Sequence, residues 1–140
     1  MAYLLDTVTV SELRDKRTRD PSVVAWQESV VGESFFLSVI SLNEIRYGIL
    51  RVKRNDPGFA DTLAAWYDGI VVNEPRLPFL PVTRTIAELA ADFRSEKSCS
   101  LNDSLIAATA KVHGLTLATR NTADFAATGI ALCNPWEFGK

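Results

Sequence analysis

Residues 101–119 read LNDSLIAATAKVHGLTLAT, and two structural periods meet inside them. From Leu101 to His113 the residues suit a helix, with Ser100 as its cap and Gly114 as its C-terminal stop. Leu115 to Thr119 is then a short apolar run of the kind that forms a buried strand. A helix that empties into such a strand through one glycine is half of a βαβ unit, the building block of parallel sheets.

The same alternation continues in both directions. Upstream, a short strand from Phe79 to Val82 leads to a helix capped by Thr83 that carries Ile86, Leu89, Ala90 and Phe93, followed by a polar break from Glu96 to Cys99. Phe35 to Ile40, aromatic and β-branched, predicts another strand. The helix after it presents Leu42, Ile45, Ile49 and Val52 on one face and ends in the basic run Arg51 to Arg54. Asp56-Pro57 opens a further helix whose apolar stripe is Phe59, Leu63, Trp66 and Ile70, before a proline-punctuated loop from Asn73 to Pro78. The N-terminus supplies a strand at Tyr3-Leu4-Leu5, a short helix over about Thr9 to Arg14, and a helix opened by Asp20-Pro21 and stopped by Gly32. Downstream, Ile130 to Cys133 is a fifth strand, and Asn134-Pro135-Trp136 closes the chain. The expected fold is α/β, a three-layer α/β/α sandwich around a mainly parallel sheet of about five strands, with residues 1–140 as a single domain.

With 47% hydrophobic and 23% charged residues in 140, the chain is neither disordered, collagen-like nor a disulfide scaffold. A net charge of -2 argues against a bulk electrostatic grip on nucleic acid, although the basic runs Arg14 to Arg19 and Arg51 to Arg54 can border an RNA path locally. Cys99, Cys133 and the single histidine, His113, cannot assemble a zinc cluster. His113 suits the helix dipole beside Gly114, and Trp26, Trp66 and Trp136 read as core or interface. No window approaches the roughly 18 apolar residues of a membrane span, and Asp6 breaks the first apolar run at once, so a cytoplasmic protein without a membrane partner is expected.

Four acids fall at one edge of this fold. Asp6 follows the first strand, Glu44 lies one turn into the helix after the second, and Asp124 follows the fourth by a few residues. Asp103 stands in the first turn of the helix that leads down into the fourth strand, so its end of that helix lies at the same edge. Ligands of open α/β sheets bind outside the carboxyl ends of the strands. Clustered acids repel, and a hard cation such as Mg²⁺ or Mn²⁺ resolves the repulsion. Thr119, Arg120 and Asn121 add a hydroxyl, a positive charge for phosphate and an amide. Each acid also has a purely structural reading. Ser41-Leu-Asn-Glu44 matches a capping box, Ser100-Leu-Asn-Asp103 its looser form, and Asp6 and Asp124 suit helix starts.

These residues resemble the PIN-domain family, specifically its VapC and FitB-like toxin ribonucleases of bacterial type II toxin-antitoxin pairs. The matching pieces are Leu4-Leu5-Asp6-Thr7 with Ser11-Glu12-Leu13, Ser38 to Glu44 with Gly48, Asp103 to Ala110, and Leu117 to Phe125. The resemblance implies a parallel α/β/α fold, with Asp6, Glu44, Asp103 and Asp124 as catalytic and Mg²⁺-binding acids and Thr119 and Asn121 in support. It also implies an RNA substrate, a homodimer, and a VapB-like antitoxin that assembles with the toxin into a heterotetramer or larger and carries operator DNA binding. Val8 departs from the family, which usually has Asn there; losing that amide is expected to loosen the loop holding Asp6. Val8 also counts against the phosphatase chemistry that needs a second aspartate two residues after the first. The expected function is a metal-dependent endoribonuclease toxin, and the alternative is a catalytically weak module of the same fold that binds antitoxin or RNA without efficient cleavage.

Overall fold

Strand β1 (Ala2–Leu5) runs through the middle of the sheet, and its alternate side chains leave on opposite faces. Leu4 enters one core with Ile86, Phe93, Ile106, Leu117 and Phe125. Tyr3 and Leu5 enter a second with Trp26, Leu37, Ile45 and Ile49. Burial on both faces is why this strand is a continuous apolar run with no polar alternation.

The computed structural model describes residues 1–15 and 17–140. Lys16, within the basic run Arg14 to Arg19, and the side chain of Ile70, the last member of an expected apolar stripe, lie outside the described residues. The described residues form a five-stranded sheet in the order β3-β2-β1-β4-β5, with β2 at Ser34–Ser38, β3 at Phe79–Leu80, β4 at Thr116–Ala118 and β5 at Leu132–Cys133. Every pairing is parallel, and Leu5 stands in register with both Leu37 and Ala118. Helices α5 (Arg84–Lys97), α6 (Leu101–His113) and α7 (Thr122–Phe125) cover the face that Leu4 enters. Helices α1 (Thr7–Glu12), α2 (Pro21–Ser29), α3 (Val39–Lys53) and α4 (Pro57–Trp66) cover the other, which makes the three-layer α/β/α architecture.

The caps explain most boundaries. Asp20, Asp56, Thr83 and Ser100 each accept a hydrogen bond from a backbone N–H in the first turn of the helix they open, and Gly114 ends α6 with φ 65°. Two boundaries differ from expectation. Val39 and Ile40 belong to α3, not β2, because the Ser38 hydroxyl accepts from the Ile40 N–H and starts the helix there. The short N-terminal helix begins at Thr7, immediately after Asp6. In α4 the buried position is Ala60; Phe59 is exposed, with the Arg14 guanidinium 5.6 Å over its ring. A π-helical turn, Tyr67–Val71, prolongs α4. Trp26 and Trp136 are buried, and His113 is exposed in the last turn of α6. Among the described residues no helix is long and apolar enough to cross a membrane.

Candidate metal centre

The strand order reverses between β1 and β4: the chain builds outward from β1 to β3, then returns to lay β4 against the other side of β1. Such a reversal opens a crevice beyond the carboxyl ends of the two strands. Asp6 and Thr119 are the first residues past those ends.

Asp6 is buried, with 6% of its surface exposed. Its Oδ1 accepts from the Thr9 N–H at 2.8 Å, and its own N–H donates to the Ala118 carbonyl at 3.2 Å. The helix-starting role is therefore real, and it occupies one carboxylate oxygen. Glu44 is half-buried in the second turn of α3. Because Ser38 is the cap and Ser41 is buried within the helix, the expected Ser41–Glu44 capping box does not form. The carboxylate turns instead toward the crevice. Its Oε1 accepts from the Thr7 hydroxyl at 2.6 Å and its Oε2 from the Asn102 amide at 3.4 Å, across the contact between α3 and α6.

Asp103 lies in the first turn of α6, where its N–H donates to the Ser100 hydroxyl at 3.3 Å. Burial raises the pKa of its carboxyl, and the negative charges of Asp124, Glu44 and Asp6 push the same way, against the lowering effect of the Ser100 hydroxyl on the carboxylate itself. Asp124, Glu44 and Asp6 thus lie within electrostatic reach of Asp103. Asp124, in α7, is exposed and is not that helix's cap, a position Asn121 holds. Thr119 is fully buried; its hydroxyl accepts from the Asn121 N–H at 3.0 Å, and its own N–H donates to the Cys133 carbonyl at 3.0 Å. Asn121 is exposed, and the Arg120 guanidinium sits 5.4 Å over the Trp136 ring. Burial, and then the charges of Asp103 and Asp124, push the Cys99 thiol up.

Three residues of the site carried no role in the sequence reading. Thr7 and Asn102 hold Glu44, and the Thr9 hydroxyl donates to the Ala118 carbonyl at 2.9 Å. The twice-used Ser-Leu-Asn-acid pattern was a signal for Asn102, while Thr7 and Thr9 show none beyond their nearness to Asp6. The loop expected to loosen at Val8 is helical from Thr7 and tied to the sheet through Thr9, while the Val8 side chain points outward, 44% exposed.

All the donors here are hard oxygens, suited in kind to Mg²⁺ or Mn²⁺. Among the described residues, however, no three His, Cys, Asp or Glu side chains stand close enough together to grip an ion directly. The acids form an electrostatic cluster, not a closed protein cage. A larger cavity of about 750 Å³, walled by Trp26, Val30, Phe35 and Leu77, includes none of the four acids.

The chain belongs to the PIN domain family, whose model matches residues 3–130. It is 36% identical to the VapC ribonuclease Y4jK of Sinorhizobium fredii over 96% of this chain and 97% of that protein. It is 33% identical to toxin FitB of Neisseria gonorrhoeae, covering 96% and 98% of the two chains. Among solved structures, the crystal structure of FitAcB from Neisseria gonorrhoeae superposes with a TM-score of 0.83 at 32% identity, over 97% of this chain and 99% of that one. VapBC2 of Rickettsia felis, bound to a DNA fragment from its promoter, shares the fold with a TM-score of 0.72 at 20% identity, over 96% and 98% of the chains.

Proposed function

We propose that this chain is the toxin of a type II toxin-antitoxin pair and acts as a metal-dependent endoribonuclease through Asp6, Glu44, Asp103 and Asp124. The observation that carries the reading is likeness along nearly the whole chain to a protein named VapC ribonuclease, and the negative charges of Asp6, Glu44 and Asp124 acting on Asp103 support it. Asp6, Glu44, Asp103 and Asp124 hold Mg²⁺, with Mn²⁺ as a substitute. The open cluster fits this choice, because Mg²⁺ keeps several waters and takes only one or two carboxylates directly, the remaining contacts coming from water and substrate phosphate. When bound, such an ion lowers the pKa of a coordinated water and stabilises charge on a phosphoryl group.

The chain's own residues set the geometry. Thr7 and Asn102 fix the Glu44 carboxylate, so it enters the crevice already oriented. Thr119 and Asn121 hold the turn that carries Asp124. Arg120, braced on Trp136, supplies a cation at the rim for an RNA phosphate.

The partner is a VapB-like antitoxin, a reading supported by the FitAcB structure and by that of FitAB bound to an IR36 DNA fragment, at 31% identity. Operator DNA is contacted through the antitoxin, and the toxin itself is a homodimer, which light scattering checks. Incubation of purified protein with a mixed single-stranded RNA pool and Mn²⁺ tests the activity. Cleavage that requires Mn²⁺ and is abolished by Asp6→Asn and by Asp103→Asn is expected. Intact RNA in the presence of normal metal binding assigns the chain to the binding-module alternative.

A further inference from the structure

We propose that Thr9 is the positioning residue for Asp6, a reading that rests on the metal-site assignment above. Thr9 is completely buried, and its backbone and side chain do two different jobs. Its N–H reaches back to Asp6 Oδ1 at 2.8 Å, while its hydroxyl reaches across to the Ala118 carbonyl at 2.9 Å. That same carbonyl accepts the Asp6 N–H at 3.2 Å. The three hydrogen bonds close a ring through Asp6, Thr9 and Ala118, joining the exit of β1, the first turn of α1 and the exit of β4.

The ring has a directional consequence. A six-residue helix cannot fix its own first turn, since so short a helix is marginal by itself. Without the hydroxyl, α1 can shift along the sheet edge and carry the Thr9 N–H with it; the Asp6 carboxylate follows, because that N–H holds Oδ1. With the hydroxyl in place, Oδ1 is fixed relative to β4, whose next residue, Thr119, is itself tied to β5. Among the described residues no hydrogen bond engages Oδ2 of Asp6, which leaves that oxygen aimed by the ring and available to a cation. Thr9 touches neither metal nor substrate and acts through Asp6 alone.

Removing the hydroxyl is compatible with folding. Valine has the shape of threonine, and the Ala118 carbonyl keeps the Asp6 N–H, so no buried acceptor is orphaned. The experiment is a calorimetric titration of Mn²⁺ into the full-length wild type, Thr9→Val, Thr9→Ser and Asp6→Asn, with RNA-cleavage kinetics at saturating Mn²⁺. Thr9→Val is expected to weaken Mn²⁺ binding by about tenfold and to lower kcat by about tenfold to a hundredfold, with KM for RNA unchanged. Thr9→Ser, which keeps the donor, is expected to bring both back to within about threefold of wild type.

A purely structural role lowers Tm and leaves metal affinity where it was. Wild-type Mn²⁺ affinity in Thr9→Val, with affinity lost in Asp6→Asn, therefore overturns this proposal while the metal site stands. Equal loss in Thr9→Val and Thr9→Ser overturns it too, because the hydroxyl is then not the cause. Equal affinity in all four proteins overturns the metal site and the proposal together.

Discussion

At Asp103, burial and three neighbouring carboxylates all favour the protonated acid, and the cost of ionising it falls on the folded state alone. Without divalent metal, the native protein keeps this proton to a higher pH than the unfolded chain does. Stability contributed by the protonated form is therefore complete below the ordinary carboxylate pKa and is lost as pH rises through the raised native value. Asp103→Asn removes the loss, so in a chelator its Tm at pH 7 should exceed that of the wild type, with the gap closing near pH 4; melts at several pH values check it. The same variant should bind no Mn²⁺. Val8 behaves differently. Its side chain is exposed, and Asp6 is held through Thr9, so Val8→Asn should leave kcat within about threefold of wild type, since the catalytic group does not move. Steady-state kinetics on a defined RNA would measure it.

The elements show where local sequence decides structure and where packing overrides it. Caps were legible because they depend on a few adjacent atoms: Asp20-Pro21, Asp56-Pro57, Thr83, Ser100 and Gly114 all stand where the sequence places them. The β2 to α3 boundary was not, since Val39 and Ile40 carry strand propensity and only the Ser38 hydroxyl, turned on the Ile40 N–H, commits them to helix. The stripe of α4 holds at Leu63 and Trp66, which pack against the core, and fails at Phe59, which sits one position off the buried line that Ala60 occupies and packs under Arg14 instead. Of the proposed site, the placement of Asp6, Glu44 and Asp124 in the elements that follow strands, and of Asp103 in the first turn of the helix before β4, was legible in the sequence. The supports Thr7 and Thr9 were not, because contacts from α1 to α3 and β4 leave no local pattern, and Asn102 was marked only by the repeated Ser-Leu-Asn-acid motif. At the end of α6, Gly114 is left-handed at φ 65° with open space where a Cβ would go. Gly114→Ala should therefore cost about 1–2 kcal/mol through backbone strain without steric clash, read by denaturant melts.

For the molecule as a whole, the acid cluster is a stress that a ligand relieves. A cation binding only the folded state should stabilise it by about 2.7 kcal/mol at a hundred times its Kd, so Mg²⁺ should raise Tm in the wild type and not in Asp6→Asn. The two cores lie on opposite faces of one sheet, and both depend on β1, the earliest strand in the chain. That dependence also sets a schedule. The contact that aims Asp6 spans 109 residues, from Thr9 to Ala118, and β4 takes its place beside β1 only once Ala118 has been made. At about 5–20 residues per second of synthesis, the roughly 110 residues between β1 and β4 take several seconds or more to make, during which the crevice cannot assemble. Until β4 lies beside β1, Asp6 lacks the carbonyl that anchors it, so fragments ending before β4 should cleave no RNA.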